Sequence, residues 1–231
     1  MARLLAVLSA GFVATLSGCS LLPSPATTHI AWQLEGNLVI VPAAVDGKNG
    51  RFIIGTGDAV TVLDAAFFDS ESRRAVGVVL GDRFSARVTP RVADFEGLAD
   101  GILGADVFNR RSVTLDFRRG LLVLGRGLDP ISEGVEHRFN GTPTAPVTIN
   151  GEQTLAIVDS ANPDTLLLPS SRFGPVGRRL VNLGIGETSF VNVDARVEDI
   201  PEVRLGIRIL SYFLVTIDYP RQTVNLWPDA R

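Results

Sequence analysis

Few residues in this chain could do chemistry, and the ones that could sit in a repeat. Asp159 lies at the end of the apolar run Ala156-Ile157-Val158 and is followed by Ser160 and Ala161; Ile149-Asn150-Gly151 precedes the run. One hundred and four residues earlier, Val45-Asp46-Gly47 leads into Phe52-Ile53-Ile54 and then Gly55-Thr56-Gly57. At that offset Pro42 matches Pro146, Gly47 matches Gly151, Thr56 matches Ser160 and Thr61 matches Thr165, but Gly55 faces Asp159. A carboxylate at the end of a rigid strand can act as general acid or base. The symmetry of the repeat calls for two such groups and supplies one. Asp58, three residues after Gly55, is the nearest carboxylate on the first copy.

Other reactive constellations lack material. The 231 residues contain one cysteine and two histidines, His29 and His137, so a Ser-His-Asp triad or a metal site has almost nothing to be built from, and no metal or other cofactor is expected. A net charge of −3 with no Lys/Arg cluster gives no field for nucleic acid. With 45% hydrophobic residues the chain can bury the core of one compact domain or two small lobes.

The elements that must position these residues are strands. Leu38 to Val41, Arg51 to Ile54, Val60 to Leu63, Ala75 to Leu80 and Arg83 to Val92 read as strands by period-2 alternation and short apolar runs. Asp46-Gly47, Gly81-Asp82, Asn140-Gly141 and Asn150-Gly151 punctuate them, and Asp-Gly or Asn-Gly between apolar runs favours a hairpin turn with two positive φ angles. A second pair of blocks repeats at an offset of 102: Val113-Thr114-Leu115-Asp116-Phe117 matches Val215-Thr216-Ile217-Asp218-Tyr219. Asp116 and Asp218, being equivalent, read as structural, capping a turn or pairing with Arg119 and Arg221. Matching blocks in the same order imply an internal duplication, with units at 34–126 and 140–228 joined by a linker at 127–139.

The first 18 residues have one basic residue, Arg3, an apolar run from Leu4 to Leu16 and a small-residue end, the layout of a signal peptide. Leu16-Ser17-Gly18-Cys19 resembles the lipobox of bacterial lipoproteins, which implies cleavage before Cys19 and acylation of its thiol. Residues 19–33 then form a tether. Ser20 in place of an acidic residue points to the periplasmic face of the outer membrane, reached through the lipid anchor.

The repeated motif resembles the aspartic protease family: an apolar strand ending in Asp-Thr/Ser-Gly, followed about fifty residues later by hydrophobic residues and a glycine. Here Val158-Asp159-Ser160-Ala161 is followed by Leu205-Gly206, and Ile54-Gly55-Thr56-Gly57 by Ile102-Leu103-Gly104. The resemblance spans nearly all of 34–228. It implies an all-β fold of two homologous retropepsin-like lobes, arranged as in pepsin-like enzymes. It implies that Asp159 is a catalytic aspartate and that Thr56 and Ser160 bridge the lobes. Gly57 and Ala161 would sit in the two turns, and Gly104 and Gly206 would pack behind them. The family's chemistry uses two carboxylates that share one proton around a water. Gly55 stands where the first belongs, so weak or absent peptidase turnover is expected. Three routes to activity stay open: Asp58 leaning toward Asp159, a homodimer that pairs two copies of Asp159, or Asp159 alone. The implied partner is an extended peptide or protein segment, bound by a monomer as an active peptidase or as a pseudo-enzyme. No flap tyrosine is present, and Phe84 is either a flap-tip contact or a packed aromatic.

Overall fold

The computed structural model describes residues 27–68, 74–125 and 134–229. The signal peptide, Cys19 and the start of both the tether and the linker lie outside the described residues. The rest is almost entirely strand. β1 (Thr28–Ala31) precedes a first lobe of β2 (Gln33–Glu35), β3 (Leu38–Val45), β4 (Lys48–Ile54), β5 (Val62–Asp64), β6 (Val76–Leu80), β7 (Phe84–Val88), β8 (Arg91–Ala93), β9 (Gly101–Leu103), the single-turn α1 (Ala105–Phe108), β10 (Ser112–Asp116) and β11 (Leu121–Gly125). The second lobe follows the same order. It comprises β12 (Val135–Arg138), β13 (Thr144–Ile149), β14 (Glu152–Val158), β15 (Leu166–Pro169), α2 (Ser170–Phe173), β16 (Gly177–Ile185), β17 (Thr188–Glu198), β18 (Val203–Leu205), α3 (Ile207–Leu210), β19 (Phe213–Asp218) and β20 (Thr223–Pro228). The fold is all-β with two lobes of equivalent topology.

Two of the four expected hairpins form for the expected reason. Asp46 and Gly47 have φ of 48° and 82°, and Asn150 and Gly151 have 51° and 89°. Both central residues are thus left-handed, and the turn twist matches the strands they join, β3 to β4 and β13 to β14. Gly81-Asp82 joins the hairpin β6 to β7 with only Gly81 left-handed, and Asn140-Gly141 connects β12 to β13, which do not pair, so it is not a hairpin turn.

Each lobe then makes the same non-local move. β4 runs parallel to β9, and β5 lies antiparallel on its other side. β14 and β15 flank β18 in the same way. The chain between the flanking strands therefore crosses the end of β9 or β18, and those crossings carry Gly55–Asp58 and Asp159–Asn162. In the second lobe the sheet closes into a barrel, because the 11-residue β17 pairs with β16 on one edge and with β15 on the other. In the first lobe its counterpart is broken into β7 and β8 by Thr89-Pro90, so the strand read as continuous from Arg83 to Val92 is two, and the sheet stays open. Proline has no N–H to give to a ladder.

A six-stranded sheet of order β1-β11-β10-β19-β20-β12 joins the lobes. At its centre β10 pairs antiparallel with β19, placing Thr114 opposite Thr216 with their hydroxyls 2.8 Å apart. This marks the pseudo-twofold axis. Val113, Leu115, Val215 and Ile217 are fully buried there, in one hydrophobic cluster that runs through both lobes. Asp116 accepts from the Arg119 backbone N–H and side chain, both at 3.0 Å, and Asp218 does the same with Arg221 at 3.0 and 3.3 Å. Order reaches further than the duplicated units. β1 lies in the segment read as tether and β12 in the segment read as linker. Both are short edge strands whose partners, β11 and β20, are remote in sequence.

Candidate active site

The two crossing turns meet at the lobe interface through four hydrogen bonds. Thr56 Oγ1 donates to Val158 O (2.6 Å) and accepts from Ser160 N (3.1 Å). Ser160 Oγ donates to Ile54 O (2.5 Å) and accepts from Thr56 N (3.1 Å). Both residues are fully buried. A hydroxyl that donates and accepts at once satisfies two backbone groups of the opposite lobe, so the two turns lock face to face.

The glycines fit this packing. A Cβ on Gly57 would lie 2.9 Å from Asp159 Cγ, so a side chain there would displace the carboxylate. A Cβ on Gly104 would fall 2.6 Å from the Val60 carbonyl carbon, and one on Gly206 would strike Asp164 O and the Asn162 amide. Those glycines let α1 and α3 start directly behind the turns: Ala105 N donates to Asp58 O and Ile207 N to Asn162 O. Ala161 needs no glycine, since its φ is not positive.

Asp159 is 4% exposed. Its Oδ1 accepts from Ala161 N at 3.1 Å, and its Oδ2 is ion-paired with Arg204 Nη1 at 2.8 Å. Arg204 comes from β18. The parallel register that sets Ile157 beside Arg204 sets Ile53 beside Ile102 in the first lobe. The lobes thus differ in two matched places: Asp159 with Arg204 in one, Gly55 with Ile102 in the other. Arg204 is the residue of the candidate site that sequence reasoning missed. Its signal was the guanidinium standing where Ile102 stands in the repeat.

Asp58 lies where the missing side chain would begin. A Cβ built on Gly55 would be 2.5 Å from Asp58 Oδ2 and 2.5 Å from Ile102 Cγ2. Burial, and then the nearby charge of Asp159, push the Asp58 carboxyl above the ordinary aspartate value, with Arg204 pulling it partly back. Asp58, Asp159 and Arg204 therefore form one charge cluster across the interface. Its counterpart in the second lobe is Asn162, 4% exposed, whose Nδ2 has no hydrogen-bond partner among the described residues. Phe84 is buried and packs on Phe108 with ring centroids 6.3 Å apart, so it is a packed aromatic and not a flap tip. No group of three or more His, Cys, Asp or Glu side chains able to hold a metal occurs among the described residues.

Two lobes related by a pseudo-twofold, joined by a shared sheet and locked by paired hydroxyls, have a counterpart among solved structures. An aspartic proteinase from Irpex lacteus superposes with a TM-score of 0.64, over 89% of this chain and 98% of that one. The fold is that of an aspartic proteinase. Sequence identity is 13%, so the likeness concerns the fold. No protein-family model and no curated protein sequence matches the chain.

Proposed function

We propose that this protein is a lipid-anchored periplasmic monomer that has kept the aspartic-proteinase scaffold and lost ordinary peptidase turnover, using the groove between its lobes to bind an extended peptide or protein segment. The observation that carries this reading is the state of Asp159. Both of its oxygens are engaged, one by Arg204 and one by Ala161 N, and residue 55 opposite it has no side chain. In the family's reaction a carboxylate must take a proton from water while its partner gives one. A carboxylate held by a guanidinium is a poor base, and each general acid or base contributes about 10²–10⁴ in rate. A groove of this kind can still hold an extended strand through backbone hydrogen bonds and alternate side-chain pockets.

A second reading has one observation in its favour. Asp58 reaches the place vacated at Gly55 and its carboxyl is biased toward the neutral form, so it would be the acid to Asp159's base.

The test uses the chain from Ser20 onward, incubated with a mixed peptide library from mildly acidic to neutral pH beside Asp159→Ala and Asp58→Asn. The expected result is peptide retention without cleavage in all three proteins. Cleavage by the parent that disappears in Asp159→Ala would sink the pseudo-enzyme reading, and its disappearance in Asp58→Asn as well would establish the second. Location is tested separately: in cells, Cys19→Ser should abolish lipid labelling and release the protein from the membrane fraction.

A further inference from the structure

A cavity of about 460 Å³ opens at the junction of the lobes beside Asp58. That size is within the range of small-molecule sites. Its walls bring together α1, the turn after β4, the chain entering β13 and the β19–β20 turn, with Asp58, Asp106, Asn109, Phe139, Tyr219 and Gln222 facing the space. Neither Asp159 nor Ser160 lines it, but Thr56 and Asp58 do, so it adjoins the candidate active site on the first-lobe side, and the inference drawn from it does not require that the protein bind a peptide.

The chemistry of the lining is lopsided. It includes two carboxylates and no Lys, Arg or His. Asp106 Oδ1 accepts from Thr61 N (3.0 Å) and Thr61 Oγ1 (2.6 Å), while Oδ2 has no donor among the described residues. The Asp58 carboxylate has no hydrogen-bond donor among them either. Tyr219 is 9% exposed, and its hydroxyl reaches only Thr56 O at 3.4 Å, beyond the usual O–H···O range; no described donor serves its lone pairs. A buried phenol oxygen and two carboxylates thus offer acceptors that the protein leaves unused. The Tyr219 and Phe139 rings, edge to face at 6.2 Å, add an aromatic wall, backed by Phe108 at 6.5 Å from Tyr219.

We infer that this cavity binds a small organic cation, a primary ammonium compound whose charged end sits between Asp58, Asp106 and the Tyr219 hydroxyl and whose aliphatic body lies against Phe139. An ammonium group brings three donors and no acceptor, which matches the surplus, and aromatic faces attract cations as well as hydrocarbon. A bare divalent ion fits less well, because it wants six or more oxygen ligands and would gain nothing from the aromatic wall.

The experiment is calorimetric titration of the chain from Ser20 onward with butylamine and 1,4-diaminobutane, alongside butanol and butyrate as neutral and anionic isosteres and calcium chloride as the metal control. The amines should bind, with butanol weaker by about 10-fold or more and butyrate silent. Asp58→Asn and Asp106→Asn should each weaken butylamine by about 10-fold or more. Because Asp106 also holds Thr61, Gln222→Lys serves as a second variant. It leaves that contact intact and supplies a competing ammonium from the wall, so it should abolish amine binding. The inference is overturned if butylamine gives no heat up to about 10 mM, if butanol or calcium binds as well as the amines, or if folded variants bind butylamine like the parent.

Discussion

Replacing Thr56 by valine removes one hydroxyl and almost no volume, which makes it a clean probe of the lock between the lobes. The hydroxyl donates to Val158 O at 2.6 Å and accepts from Ser160 N at 3.1 Å, and both Val158 and Ser160 are fully buried. Valine fills the same space but leaves an orphan carbonyl and an orphan N–H with no access to water. Each such group costs about 1–3 kcal/mol. A little hydrophobic gain from the extra methyl offsets part of this, so the net loss should be about 3 kcal/mol. For a chain of this length that lowers Tm by about 6–12 °C. The internal comparison is Thr114→Val, on the same pseudo-twofold axis, which breaks one hydroxyl–hydroxyl contact and orphans only the Thr216 hydroxyl. That variant should lose about 1 kcal/mol. The assay is urea and thermal unfolding of the chain from Ser20 onward. A Thr56→Val protein within about 1 kcal/mol of the parent, or no less stable than Thr114→Val, would refute the claim that these hydrogen bonds hold the lobes together.

Asp58→Asn should stabilise the protein at neutral pH. Its carboxyl is held above the ordinary aspartate value of 3.8 by burial and by the charge of Asp159, so the folded state binds this proton more tightly than the unfolded state does. Stability is then lost as pH rises from 3.8 through the folded value, and asparagine escapes that loss; urea midpoints at pH 7 should favour the variant, and the advantage should vanish below pH 3.8. Arg204→Met breaks a mostly buried ion pair and should cost about 3 kcal/mol. In that variant the Asp58 midpoint, followed by carboxyl-carbon NMR, should rise, whereas in Asp159→Asn it should fall. Gly55→Asp should gain no peptide cleavage and should lose about 1–3 kcal/mol, because its Cβ meets Asp58 Oδ2 and Ile102 Cγ2 at 2.5 Å. Cleavage by that single variant would show that the empty position is the only defect.

Much of the scaffold was legible because it is local or repeated. Asp46-Gly47 and Asn150-Gly151 announce their turns through residue chemistry alone, and the offset between Thr56 and Ser160 is enough to pair them across an axis. What stayed hidden depends on non-local pairing. Arg204 reads from sequence as one more charge in a short strand. Only the parallel register of β14 with β18 brings it against Asp159, and the motif's own landmarks, Leu205 and Gly206, drew the eye past it. Asp58 was visible as a nearby carboxylate, but its position follows from the space that Gly55 leaves. β1 and β12 were lost in stretches that look like connectors, because an edge strand of four residues carries little pattern until its partner is known. The cavity draws its walls from segments around residues 58, 106, 139 and 219, so no single stretch of sequence could announce it.

The sheet that joins the lobes also sets the order in which this protein can fold. All five residues of β10 are buried in the finished structure, yet on the side away from β11 their backbone groups are satisfied only by β19, about a hundred residues later in the chain. Synthesis from the N-terminus thus leaves a first lobe with an apolar, unpaired strand edge, ready to pair with any other strand it meets. That edge is capped only when β19 arrives, and β19 is itself held by β20, which needs the C-terminal residues up to Pro228. The first lobe therefore cannot finish early. Its completion waits for β19 and β20, about a hundred residues further along the chain, which makes chains truncated or paused before those strands the species most prone to aggregate.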